Sequence, residues 1–294
     1  MKREKRSFKK ILAYILIMAG VFIIILPFIK RSINNFTAKR KYEDFLEKSD
    51  PKRALELEKK ALDYNKNIKE SKNALVDPFT EKNFDSQTIL EDKDEIFAYI
   101  SIPKINKYLP IYLDASMDHI AMGVAQMSGT DIPIGGKSTR SVIAGHRGWW
   151  DDTMFLYVDD LKAGDSIFIE RHGKRLEYQV FSKEVIKANQ WEKLEPIEGE
   201  DVLTLLTCHP FFPPMPDRLL VNAKRVKDQE VEPEIEINIE DNYDKKEDNR
   251  EQTRQQVSSK AKLISRVPYI ISTLGLIIIL FLLVKFIRYI IFNK

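Results

Sequence analysis

The sequence predicts a mainly β domain, a barrel or sandwich, carried between two membrane-spanning helices. Three observations lead there. Residues 11 to 29 and Pro268 to Val284 are two long runs without a charge, one near each end. Between them, from about Phe97, short β-branched and aromatic runs alternate with Gly- and Pro-containing turns. Charged residues make up 31% of the 294, too many for a chain embedded wholly in lipid.

The first run, ILAYILIMAGVFIIILPFI, spans roughly 28 Å as a helix, close to the hydrocarbon thickness of about 30 Å. A cleaved signal peptide is the alternative. It fits less well, because signal apolar regions run about 7–15 residues and no small-x-small site follows closely. The second run continues past Lys285 and Arg288. Lys2, Arg3, Lys5, Arg6, Lys9 and Lys10 precede the first span, and Lys285, Arg288 and Lys294 follow the second. The positive-inside rule then places both termini in the cytoplasm and the middle of the chain outside, although Lys30 and Arg31 oppose it.

The intervening segments differ in composition. Residues 1–30 are expected to form the cytoplasmic N-terminus and first span, and residues 31–94 a helical stalk and the segment that leads from it to the β domain. Within the stalk, Asp50-Pro51 reads as a helix N-cap followed by proline at the first helical position. Ala54, Leu55, Ala61 and Leu62 recur at seven-residue spacing, a modest apolar stripe. Val76-Asp77-Pro78-Phe79 breaks the pattern with an aromatic at its tip.

Residues 95–228 hold the β domain. Phe97 to Ile102, Leu109 to Tyr112, Ser141 to Ala144, Ser166 to Glu170, Leu176 to Phe181, Val202 to Cys208 and Arg218 to Ala223 read as strands. His172-Gly173-Lys174 reads as a hairpin turn between two of them. Residues 229–266 form an acidic linker containing Glu230, Glu232, Glu234 and Glu236, and residues 267–294 the second span and tail.

Lys and Arg total 47 against 44 Asp and Glu, so overall charge supplies no case for a nucleic-acid partner. One cysteine, Cys208, forbids an internal disulfide and a multi-cysteine metal cage. Asp131 and Asp217 are possible Ca²⁺ ligands, but no ligand loop surrounds them, and no metal or cofactor is expected.

The chemistry then centres on Cys208. A buried cysteine is often only a small apolar side chain. As a nucleophile it needs an acid–base partner, and the chain has four histidines. His209 is adjacent, but neighbouring side chains on a strand point to opposite faces, so it turns away from the sulfur. His172 lies in the hairpin turn and reads as solvated. His119 follows Asp118 in a short helix and reads as polar surface. His146, at a strand end before Arg147-Gly148, is the candidate by elimination. Arg218 opens the strand after the Cys208 loop, and antiparallel strands joined by a loop bring these ends together. A fixed guanidinium there suits a developing oxyanion.

Taken together, these residues resemble the sortases, the cysteine transpeptidases of Gram-positive cell surfaces. Thr204-Leu205-Leu206-Thr207-Cys208, ten residues before Arg218-Leu219-Leu220-Val221, resembles the sortase signature. Ser141-Val142-Ile143-Ala144-Gly145-His146-Arg147-Gly148 resembles the histidine motif, and Ile102-Pro103-Lys104-Ile105 with Leu109-Pro110-Ile111-Tyr112 resembles the early strands. The second span, and Asp77-Pro78-Phe79 after Ala61-Leu62-Asp63-Tyr64-Asn65, resemble the pilin-polymerising class C, whose lid carries an Asp-Pro-aromatic motif. Trp149-Trp150-Asp151-Asp152 and the loop Pro210 to Pro216 depart from the commoner class C forms.

The resemblance implies a closed eight-stranded barrel with Cys208, His146 and Arg218 together at one end, and a lid of Asp77, Pro78 and Phe79 over them. In that lid Phe79 would cover the thiol through a sulfur–aromatic contact and Asp77 would pair with Arg218, the whole held weakly. The resemblance also implies a two-pass membrane enzyme that cleaves an LPxTG-like sorting signal between Thr and Gly. The acyl group would then join a lysine amine of another pilin subunit, the partner. Two alternatives stay open: a housekeeping sortase acting on peptidoglycan cross-bridges, and a catalytically silent membrane-anchored scaffold.

Overall fold

The computed structural model describes residues 8–48, 50–70, 75–79, 89–148, 152–171, 173–226 and 259–292. His172, Trp149 to Asp151 and the acidic run from 229 to 252 lie outside these residues. The chain divides into two compact units.

One unit holds the apolar helices: the first thirty residues of α1 (Phe8–Glu47) and α4 (Ser259–Phe292). Both are long and apolar enough to cross a membrane, and most of their large apolar side chains are exposed, as a lipid-facing helix requires. Within this unit they touch at small residues. A Cβ on Gly275 would lie 2.3 Å from Ile25 Cγ2, so only glycine admits that approach. The hydroxyls of Ser32 and Ser272 lie 3.4 Å apart, and each also donates to a carbonyl one turn back in its own helix. α1 extends past its apolar run through Lys30 and Arg31 to Glu47.

The second unit is built on a closed barrel of eight strands. These are β1 (Ala98–Ile102), β2 (Lys107–Leu113), β3 (Val124–Gln126), β4 (Thr139–Ala144), β5 (Ser166–Arg171), β6 (Lys174–Lys187), β7 (Asp201–His209) and β8 (Asp217–Arg225). Their order around the barrel is β1-β2-β3-β4-β7-β8-β6-β5. Neighbours are antiparallel except β2–β3 and β4–β7, which are parallel. Gly173, at φ +77°, supplies the left-handed residue for the tight β5–β6 turn.

Side-chain alternation sorts the sheet into two apolar faces. All eight strands send residues into the larger cluster, among them Ile100, Ile111, Val124, Ile143, Ile169, Tyr178, Leu205 and Val221, so it fills the barrel. The smaller cluster lies on the outer face of β2, β3, β4, β6, β7 and β8. It joins Tyr112, Ala125, Val142, Ala144, Leu206 and Leu220 to Ile120 of the short helix α3 (Met117–Met122) and to Leu194.

The stalk helix α2 (Pro51–Glu70) starts as its sequence predicts, with the Lys52 amide donating to Asp50 Oδ1 at 2.9 Å. Its packed face differs from the predicted stripe. Leu57, Ala61 and Asn65 are buried, whereas Leu55 and Leu62 are mostly exposed. A straight helix docking on a barrel follows the i, i+4 row, not a seven-residue repeat, and here that row ends in a polar clamp. Asn65 accepts from the Ile132 amide at 2.7 Å and donates to its carbonyl at 3.0 Å, mimicking a strand pairing. Burying Leu57 contributes on the order of 2 kcal/mol to this docking.

His119 also departs from its surface reading. It is buried, stacked on Tyr112 with ring centroids 4.9 Å apart, and its nitrogens lie 2.8 Å from the Asp114 carbonyl and 3.1 Å from Asp94 Oδ1.

Candidate active site

Strand register brings the three predicted residues into one row. β7 and β8 are antiparallel with Cys208 opposite Arg218, so both side chains stand on the same face. β4 runs parallel to β7 with Ala144 beside Leu206, and the Gly145 amide extends this ladder by donating to the Leu206 carbonyl at 3.1 Å. Cys208 stands two residues beyond Leu206 on β7, and His146 stands two residues beyond Ala144, just past the end of β4. The order β4-β7-β8 therefore sets Cys208 between His146 and Arg218.

The row lies on the outer face of the barrel, continuing the Leu206–Leu220 pair of the smaller cluster. His209, opposite Asp217, alternates to the other face with Leu205 and Thr207. Strand β7 includes His209, so that residue ends a strand and does not belong to a loop. Gly145 is required beside the histidine. A Cβ there would lie 2.8 Å from both Phe155 Cδ2 and Val124 Cγ1. The turn that follows is tied back by the Phe155 amide donating to the His146 carbonyl at 3.0 Å.

Arg218 is 6% exposed, and its guanidinium is held on two sides. Nη1 donates to the carbonyls of Met215 at 3.0 Å and Asp217 at 2.8 Å. The remaining edge, Nε and Nη2, donates to the two carboxylate oxygens of Asp77 at 3.2 and 2.5 Å. Asp77 is buried as well, so this is a bidentate ion pair shielded from water and not the weak contact expected. Asp77 also shapes its own segment, because Oδ1 accepts the Phe79 amide at 3.1 Å across Pro78.

Phe79 was expected over the sulfur. Its ring meets the other two members of the row, with the Arg218 guanidinium 5.1 Å from the ring centroid and the His146 ring with centroids 6.0 Å apart. A cation faces a π-system here, a stronger attraction than sulfur offers. Leu75 and Phe79 pack against the outer apolar cluster, so residues 75–79 lie on the face that carries the row.

Burial sets the protonation states of this arrangement. It pushes the Cys208 thiol up, with Asp77 adding to the rise and Arg218 and Arg147 opposing it. It holds the His146 imidazolium below the usual histidine range. Both shifts favour the uncharged form of their group.

Arg147 is a participant that the sequence reading passed over. It is 7% exposed, its Nη2 donates to Asp159 Oδ2 at 2.7 Å, and its Nη1 reaches the Cys208 carbonyl at 3.5 Å. Its place directly after His146 was the available signal. The two carboxylates considered for Ca²⁺ are separate and engaged. Asp131 is buried and accepts the Arg140 amide at 2.8 Å, and Asp217 pairs with Lys187 at 2.8 Å. Among the described residues no group of three or more His, Cys, Asp or Glu side chains could hold a metal.

Residues 100–226 match the family described as sortase domain. A solved structure, sortase C-3 from Streptococcus pneumoniae, is 34% identical, with a TM-score of 0.62 over 64% of this chain and 90% of its own. The chain belongs to the sortase family, class C. The pilus-related sortase C of Group B Streptococcus is similar at 32% identity and TM-score 0.57, covering 64% of this chain and 96% of its own. Sortase A of Bacillus anthracis is 28% identical over 117 residues, 40% of this chain. The match spans only 54% of that protein's length. This sortase thus shares its barrel with several classes and the wider likeness with class C structures.

Proposed function

We propose that this sortase is a membrane-anchored transpeptidase that polymerises pilin subunits, with Cys208 as nucleophile, His146 as acid–base and Arg218 as oxyanion and substrate ligand. The observation that carries it is Cys208 opposite Arg218 on β7 and β8, with His146 just past the end of β4 sharing the Phe79 ring with Arg218, and Asp77 seated on the open edge of Arg218. A carboxylate bound there occupies the donors that a substrate carbonyl would use, so residues 75–79 act as a lid that must leave before substrate enters.

Lid departure also prepares the chemistry. Water regains the site, and the Asp77 charge that opposed ionisation withdraws. Both changes lower the thiol's pKa, while rehydration raises that of His146, and a proton passes from sulfur to imidazole. The thiolate attacks the Thr carbonyl of an LPxTG-like signal, and Arg218 donates to the resulting oxyanion. Collapse breaks the Thr–Gly bond as His146 protonates the departing glycine amine, leaving a thioester. A lysine amine of the next pilin then attacks. His146 takes its proton, the thiolate leaves, and an isopeptide bond joins the subunits.

The two apolar helices support anchoring, with both termini cytoplasmic and the barrel on the cell-wall side. Tethered substrates would then meet the enzyme at raised effective concentration. The domain limits 1–30, 31–94, 95–228, 229–266 and 267–294 describe the same layout. The test is reconstitution with candidate pilins in lipid. Covalent ladders should form with the native enzyme and vanish in Cys208→Ala, and ladders that persist in Cys208→Ala would sink the mechanism.

A further inference from the structure

We propose that Arg147 is a positioning residue for the nucleophile: it pins the backbone of Cys208 at the end of β7 and supplies the fixed positive charge that sustains the thiolate while Arg218 is engaged by substrate. The inference rests on reading Cys208 as the nucleophile.

Two buried guanidinium groups lie at Cys208: Arg218 opposite it on β8, and Arg147, whose Nη1 reaches its carbonyl at 3.5 Å. The groups that face the thiol are Arg218 from β8, Asp77 from the lid, and His146 and Arg147 from the end of β4. The two arginines are not equivalent. Arg218 is neutralised by a buried carboxylate when the lid is shut, and its free edge is given to the substrate when the lid is open. In neither state is its charge at the disposal of the sulfur alone. Arg147 has no such competing task.

Its partner is also a weaker one. The Asp159 side chain is 48% exposed, so water screens it, and the Lys183 ammonium donates to the Asp159 carbonyl at 2.6 Å close by. The Arg147 side chain itself is 6% exposed, and its Nε is buried with no hydrogen-bond partner among the described residues. A permanent charge is thus desolvated beside the thiol and only partly balanced. Desolvation of that kind is costly unless a negative charge offsets it, and a thiolate would do so.

Position reinforces the point. The β4–β7 ladder ends where the Gly145 amide meets the Leu206 carbonyl. Two residues later the Arg147 side chain takes over, reaching the carbonyl of Cys208 itself. The residue after the acid–base histidine thereby fixes the residue that must ionise.

The experiment is a pH titration of Cys208 alkylation by iodoacetamide, on the full chain in detergent. The Asp77→Ala background keeps lid opening from limiting the rate. Arg147→Gln should raise the alkylation midpoint by about one pH unit and slow alkylation at pH 7 about tenfold. Arg147→Lys, which keeps the charge, should hold the midpoint near the parent value while lowering peptide turnover. An unchanged midpoint in folded Arg147→Gln, or a shift in Arg147→Lys as large as that of glutamine, overturns the proposal. If Arg147→Gln does not fold, Asp159→Asn decides. Unmasking the Arg147 charge should lower the midpoint, with about twofold faster alkylation at pH 7, and any other outcome overturns it. Alkylation needs no turnover. A chain that shows these shifts yet never cleaves a sorting-signal peptide would sink the transpeptidase reading and leave the role of Arg147 standing.

Discussion

Replacing Asp77 with alanine should open the lid and speed labelling of Cys208 by about two orders of magnitude. In the closed arrangement Asp77 and Arg218 are each less than a tenth exposed and bonded at 3.2 and 2.5 Å. Removing one partner of a buried pair costs about 3–5 kcal/mol, because the other charge is stranded. Arg218 regains water when the lid opens, so the cost falls on the closed state alone. At the lower bound, about 3 kcal/mol multiplies the open population roughly 150-fold until opening is complete. The cation–π contact of Phe79 at 5.1 Å survives in Asp77→Ala and contributes about 0.5–2 kcal/mol, so the double variant with Phe79→Ala should label several-fold faster again. The assay is the pseudo-first-order rate of Cys208 modification by a small thiol reagent, followed by intact mass, with circular dichroism to show that the barrel persists. A change below about threefold in a folded Asp77→Ala protein would show that the ion pair does not hold the site shut. Because the pair is buried, wild-type labelling should also change little between low and high salt, unlike a lid latched by a surface pair.

Three further outcomes follow from the same geometry. His146→Ala should lower transpeptidation of a sorting-signal peptide by several orders of magnitude while His209→Ala lowers it little, and reversed effects would mean that the β7–β8 register is wrong. Arg218→Lys should be nearly as damaging as Arg218→Ala, since an ammonium lacks the planar fork now bonded to Met215, Asp217 and Asp77; near-normal turnover would reduce the residue to a generic charge. The closed lid should be most stable between the ordinary histidine and thiol pKa values. Burial raises the thiol, so its contribution to closure is full below the ordinary thiol pKa and is lost as pH rises past it. Burial lowers His146, so its contribution is present above about 6.5 and is lost as pH falls. Labelling referred to the thiolate fraction should therefore accelerate on both flanks, and an accelerated centre would refute the sign.

Local patterns made much of this molecule legible. The two uncharged runs, the Asp50-Pro51 helix start, the hairpin at Gly173 and the strands β7 and β8 all depend on spacing within one segment. Cys208 and Arg218 could be paired from sequence because one loop joins their antiparallel strands. Asp77 and Phe79 could be placed near them through family likeness, but not the depth at which their contacts are buried.

What sequence left open were contacts between segments far apart in the chain. His146 was reached by elimination, since nothing local says that β4 runs parallel to β7. Arg147 went unread, because its meaning lies in a carbonyl sixty-one residues away. The stalk stripe was misjudged because a helix row becomes a core row only when a surface meets it, and the barrel meets Leu57 and Ala61 while leaving Leu55 and Leu62 in water. His119 looked like surface until Tyr112 stacked on it. Residue type and short-range periodicity are local properties, so the chain alone marks which residues could carry thiol chemistry and which runs are long and apolar enough to cross a membrane. The tertiary structure alone decided which side chains lose their water. Burial is a sum over neighbours brought in by the closed sheet, and that loss of water pushes the Cys208 thiol up, holds the His146 imidazole down and shields the Asp77–Arg218 ion pair.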